Sequence, residues 1–165
     1  MTPAITLEEL RIWNEESANF WRAHLDAEPA LLEFPCGIGG SANVLAFVAH
    51  IWGVELRWGQ RLAQLPVLAK EDVPTGPLAA LFALHSEASE IYRRLLADPT
   101  HHWDLTLSLD LAWLPPQART LSHRKVLAHA LFHSQRHYAQ LATLLRTAGF
   151  PSDFGGDFLF THAIR

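Results

Sequence analysis

Between Ser41 and Pro66 the chain carries apolar residues nearly all round a helix: Val44, Leu45, Phe47, Val48, Ile51, Trp52, Val54 and Leu56. A helix without a polar face is a buried one, enclosed either by lipid or by other protein. Length excludes lipid. The longest apolar run, Val44 to Val54, is interrupted by His50 and falls well short of the ~20 residues that span a bilayer. The segment must therefore lie at the centre of a helical assembly. Ser41 is placed to cap its start, and Pro66 to stop it near Leu65.

Three further segments supply the surrounding helices. Thr6 caps the first, and Glu9 three residues later completes a capping box. Leu10, Trp13, Ser17, Phe20, Trp21 and Leu25 form its inward face, ending before Pro29. Residues 31–40 read as a loop, because Pro35, Gly37, Gly39 and Gly40 all interrupt helix. The string CGIGGS within it matches a phosphate-cradling turn only weakly, with no strand before it and no Lys after it. A third helix runs from about Pro77 to Leu96. Asp104 to Leu111 then alternates polar and apolar, as a short strand or extended loop does, before Pro115-Pro116 ends it. A fourth helix extends from Thr120 or Ser122 to Ala148, closed by Gly149 with Pro151 beyond. The expected fold is all-α, a four-helix bundle with a long crossover connection between the last two helices, in a single domain over residues 1–165.

Charge and cysteine content narrow the function classes. Thirteen Lys and Arg against seventeen Asp and Glu give a net charge of −4, with no basic cluster to serve as a nucleic-acid footprint. Cys36 is the only cysteine, so neither an intrachain disulfide nor a thiolate-rich zinc site can form, and a reducing compartment fits. Its surroundings contain no activating His, which argues against a nucleophile. The opening MTPAITLEELRIWNEES has acidic groups and no basic leader, so the expected location is cytoplasmic. Trp13, Trp21, Trp52 and Trp58 occupy helical core positions and read as packing. Phe150, Phe154, Phe158 and Phe160 are too apolar to lie free in water, so the tail folds back on the bundle or enters a dimer interface. Together with six tryptophans, this tail predicts a homodimer.

The ten histidines carry the chemistry. In the fourth helix Val126, Ala130, His133, His137, Leu141, Leu144 and Ala148 follow one another at steps of three and four, so two rungs of an apolar ladder are imidazoles. Residues four apart lie about 6 Å from Cβ to Cβ and can converge on one ion. The central helix offers His50 as a third ligand, among Phe47, Ile51 and Val54. Three neutral histidines leave a coordination position open, as a catalytic rather than a closed structural site does. Spacing alone leaves two questions open. His129 stands one turn before His133 and makes an equivalent pair, and core histidines bonded to each other or to carbonyls have the same pattern. Glu55 lies about 140° round the helix from His50 and reads as a surface or capping group. Arg136 reads as solvated.

The stretches VLAFVAHIWGVELRWGQRLA, LAHALFHSQRHYAQLATLLRTAG and GGDFLF resemble the DinB-like superfamily of four-helix bundles, over about Leu7 to Phe160. That superfamily includes bacillithiol-transferase-type proteins and mycothiol-dependent maleylpyruvate isomerase-like proteins. The resemblance implies a divalent metal held by His50, His133 and His137, with His129 outside the ligand set and Gln140 at a position where many members have Gln. Tyr138-Ala139 replaces the frequent Arg-Gly. It implies a metal-dependent enzyme that activates a thiol or water, an S-transferase or hydrolase acting on a small-molecule substrate. A low-molecular-weight thiol is then a possible second cofactor. Zinc or nickel suits three imidazoles best, and iron or copper also fits. The competing expectation is a non-catalytic metal- or ligand-binding stress-response bundle. With ordinary imidazole pKa values near 6.5, such a site would lose its ion between about pH 7 and 5.

Overall fold

Helix α1 (Leu7–Ala27) begins where the capping box requires. Thr6 Oγ1 accepts from the Glu9 amide at 3.2 Å, and Glu9 Oε2 accepts from the Thr6 amide at 2.6 Å. Pro29 then opens a short 3-10 turn and the helix stops. The second helix, α2 (Val44–Leu62), starts two residues later than its first capping candidate. The cap is Asn43, whose side chain accepts from the Ala46 amide at 2.9 Å. Ser41 is unavailable because residues 34–44 close a small loop on themselves. The Cys36 amide donates to Ala42 O, Gly37 to Ser41 O and Val44 to Phe34 O, at 3.1, 2.8 and 3.0 Å. Gly39 and Gly40, at φ 60° and 81°, make that turn possible. The helix also ends before Leu65. Gln64 adopts φ 55°, and the Leu65 amide reaches back to Gln60 O at 2.8 Å, a Schellman closure.

Helix α3 (Leu78–Ala97) follows Pro77, and α4 (His123–Thr147) is capped by Ser122. Gly149, at φ 87°, closes α4 in the same Schellman form, with the Phe150 amide on Leu145 O at 2.8 Å. Between α3 and α4 lies a small antiparallel pair, β1 (Thr106–Ser108) and β2 (Thr120–Ser122), in the register Thr106 with Ser122 and Ser108 with Thr120. The computed structural model describes residues 4–109, 115–116 and 119–163. The end of the alternating stretch, Asp110 and Leu111, lies outside them.

The helices pack as a ring in which α1 and α2 each touch both α3 and α4. Trp21, Phe47, Trp52, Tyr92 and Tyr138 are the largest side chains of the shared core, all fully buried. Trp58 is buried as well, whereas Trp13 packs at the edge and donates its indole N–H to Gly156 O at 3.2 Å. The Phe-rich tail folds back. Phe154 lies 5.2 Å from Phe20 and 5.1 Å from Trp21, and Phe158 lies edge-on to Trp13 at 5.3 Å. Among the described residues, no helix is long and apolar enough to cross a membrane. What this arrangement does for the site is simple: it sets the middle of α2 beside the middle of α4.

Candidate metal centre

His50 projects from α2 towards His133 and His137 of α4. Its ring centroid lies 5.3 Å from that of His133 and 5.2 Å from that of His137, and the α4 pair is 4.3 Å apart. One ring nitrogen from each residue falls within 4.8 Å of the others, a group that can hold a metal ion. The two α4 nitrogens, Nε2 of His133 and Nε2 of His137, are 3.1 Å apart. A tetrahedral ion with bonds of 2.0–2.1 Å would need about 3.3 Å between nitrogens. The α4 pair is close to that spacing, and the His50 nitrogen lies within 4.8 Å of both. The donor set fits a borderline divalent ion.

Local contacts orient the rings. His137 Nδ1–H donates to Gln140 Oε1 at 2.7 Å, leaving Nε2 with its lone pair towards the cluster. Phe47 holds the His137 ring edge-on at 5.1 Å. His133 Nδ1 is buried without a partner among the described residues, so packing and the contact of its Nε2 with His137 Nε2 orient that ring. The exposed Arg136 is solvated, as its sequence reading has it, and its guanidinium also reaches His137 Nε2 at 3.3 Å. His129 stays outside, with its ring 6.0 Å from His133 and edge-on to Trp58.

All three rings are held neutral. Burial, then the repulsion that a protonated His137 would exert, pushes His133 down to about 3. Loss of hydration likewise lowers His50 to about 4, helped by the same repulsion from His137 and by the cations Arg57, Lys70 and Arg136. Burial lowers His137 too, against the opposing bond from Gln140. Burial also raises the Cys36 thiol, which agrees with its reading as inert.

Two expectations are corrected by this geometry. His50 stands at the open edge of α2 and not in the apolar interior that its neighbours Phe47, Ile51 and Val54 suggest; convergence with the α4 pair is what singles it out. On α4 the centre of the buried face is Leu127, Ala130, Leu131, Ser134, Tyr138, Leu141 and Leu145. His133 and Leu144 are only half-buried, so the histidine stripe is the border of that face rather than its middle. Helices touched on two sides bury a wider stripe than one ladder of threes and fours describes.

Glu55 is the largest departure. It is neither at the surface nor a cap but fully buried, outside the histidine group. Its Oε1 accepts from Asn14 Nδ2 of α1 and, at 2.7 Å, from Ser134 Oγ of α4. Its Oε2 meets His85 Nδ1 of α3 at 2.7 Å. Gln135 extends the cluster to Asn14 and Ser17, and Tyr92 OH donates to the Glu55 carbonyl at 2.6 Å. One carboxylate thus ties all four helices together. Burial and the Glu55 charge raise both Tyr92 and Tyr138 well above the usual phenol range. The signal in the sequence was a polar residue at an inward position of every helix: Asn14 and Ser17, Glu55, His85, and Ser134 with Gln135.

None of the curated proteins compared with the chain matches it. The DinB family matches it over residues 9–161, from the first turn of α1 to the end of the phenylalanine tail. That span contains all four helices of the bundle and the three converging histidines. The chain belongs to the DinB family.

Proposed function

We propose that His50, His133 and His137 hold a divalent ion, and that the chain is a metal-dependent enzyme of the S-transferase or hydrolase type. The observation that carries this reading is the convergence of three neutral imidazole nitrogens beside an open cleft lined by His50. Such an ion, when bound, supplies Lewis acidity that favours the deprotonated form of a thiol or water at neutral pH. The chain's own residues do the rest. Gln140 fixes the His137 tautomer, Phe47 and the helix packing hold the rings, and the cleft admits a small-molecule substrate to one side of the cluster. Zinc and nickel are the preferred occupants, with iron and copper compatible.

Elemental analysis of untagged protein, purified without added metal, is expected to find one ion per chain. A screen of low-molecular-weight thiols with electrophilic acceptors then tests the transferase chemistry. An ion-free preparation that takes up no zinc, nickel, iron or copper would overturn the reading. One observation favours a non-catalytic alternative: among the described residues no Asp or Glu lines the cleft to act as general acid or base. An ion bound stoichiometrically with no turnover of thiol or hydrolysable substrates would select that alternative.

The assembly proposed is a homodimer. Phe154 and Phe158 fold onto α1, but Leu159 and Phe160 remain 85% and 63% exposed, and Phe132 of α4 is also exposed. Light scattering is expected to give twice the 18.5 kDa chain mass at micromolar concentration. A single species of 18.5 kDa would contradict it.

A further inference from the structure

The cleft bordering His50 has a volume of about 440 Å³ and lies between one face of α2 and the connection to α3. That volume suits a small organic molecule. Its α2 wall is built from short residues at helical steps, Ala46, Ala49 and Gly53. Val73 closes over Gly53 so tightly that a methyl group there would sit 3.2 Å from Val73 Cγ2. Arg57 and Lys70 also line the cleft, and among the described residues no Asp or Glu does.

That charge distribution is unusual for this chain, whose net charge is −4. Five arginines, Arg11, Arg22, Arg93, Arg94 and Arg124, pair with carboxylates. Arg61, Lys125, Arg136 and Arg146 share with the cleft cations the lack of such a pair among the described residues; Arg57 and Lys70 differ in lining one concave site together. Neither Arg57 nor Lys70 has a carboxylate partner among the described residues. Glu71 and Asp72 follow Lys70 in sequence but do not line the cleft. Two cations in a concave, partly apolar site concentrate anions there. Arg57 stands seven residues beyond His50, which is nearly two turns on the same face, or about 10 Å along the axis. Gly53, Val54 and Val73 occupy the interval.

We infer that this cleft binds a small amphiphilic anion. Its carboxylate or phosphate is held by Arg57 and Lys70, and its short apolar body lies along Gly53, Val54 and Val73. The opposite end then arrives at His50. The choice of reacting end rests on the proposed metal reading; the binding itself does not.

The test titrates chelator-treated and metal-replete protein with octanoate, octyl phosphate and 1-octanol, whose eight-carbon chains match the interval. Calorimetry or amide chemical shifts report binding. Both forms are expected to bind at least one of the anions about tenfold or more tighter than the alcohol, as charge-assisted hydrogen bonds imply. The better of the two identifies the head group as carboxylate or phosphate. The double variant Arg57→Gln with Lys70→Gln is expected to lose that preference while octanol binding stays unchanged. The variant His133→Ala is expected to keep it. Equal binding of anions and alcohol, no binding at all, or a preference that survives the double variant would each overturn the inference. A preference seen only with metal present, and lost in His133→Ala, would place the anion on the ion and overturn it too. Metal uptake without anion preference leaves the metal reading standing alone, and the converse result leaves the anion site standing alone.

Discussion

Replacing His133 with Ala is expected to abolish stoichiometric metal binding while leaving the helical content nearly unchanged. His133 converges with both other proposed ligands: its ring lies 5.3 Å from His50 and 4.3 Å from His137. Without it, two imidazoles on different helices remain, too few for a tight site. The fold loses little, because His133 is at the border of the buried face and its Nδ1 has no partner to strand. Elemental analysis and circular dichroism of the variant check both halves. Retention of one equivalent at wild-type affinity would show that other residues hold the ion.

The pH response of the wild type sharpens that test. The folded-state values are depressed, to about 3 for His133 and about 4 for His50, and below the ordinary value for His137. The unfolded chain therefore takes up protons near 6.5, before the folded chain does. The ion-free protein is fully stable above about pH 6.5 and loses stability as pH falls from there through the folded values. Protons compete with the ion only below those folded values. At about pH 6, where ordinary imidazoles are mostly charged, the chelator-sensitive rise in Tm is expected to persist. It is expected to vanish towards about pH 3. This window is lower than the pH 7 to 5 interval that reference values predict, and burial is the cause. Loss of the ion in step with a pKa of 6.5 would show solvated rings. Retention at pH 3 would mean that carboxylates hold it.

Substituting Glu55 by Ala is expected to be the most destabilising single change in the interior. The carboxylate answers Asn14, His85 and Ser134 at once, and its removal leaves three buried polar groups without their partner. Breaking a buried charged cluster on one side costs about 3–5 kcal/mol, against a total domain stability of about 5–15 kcal/mol. Glu55→Gln is expected to cost less but not nothing. A glutamine oxygen can still accept from Asn14 and Ser134, but its amide meets His85 Nδ1. The imidazole must then carry its proton on Nε2, a buried atom with no partner among the described residues. Chemical denaturation of wild type, Glu55→Gln and Glu55→Ala should rank in that order. An alanine variant within about 0.5 kcal/mol of wild type would mean that the cluster is spread over other contacts.

The helices were legible because each has its own start and stop signals. Thr6 with Glu9, Pro77, Ser122 and Gly149 each act within one turn of sequence. The start of α2 was misplaced because Ser41 is engaged by the loop at 34–44, which forms only when Phe34 and Val44 meet. His133 and His137 were legible as a pair through their spacing, and His50 through its isolation in an apolar helix. Glu55 was not. Its angular position relative to His50 says which side of α2 it occupies, but not that α1, α3 and α4 all present polar groups there. The cations of the cleft were equally hidden, since Lys70 reaches it from a connection whose path no local pattern dictates.

The proposed ligands are divided between the second helix and the last, with His50 and His133 separated by 83 residues. On the ribosome, at about 5–20 residues per second, several seconds pass between the synthesis of the first ligand and the second. Throughout that interval the nascent chain offers a metal only one of the three imidazoles. Capture of an ion must wait until α4 emerges and docks against α2. If these residues do hold an ion, the bundle's chain order makes loading of that site a late, post-docking event.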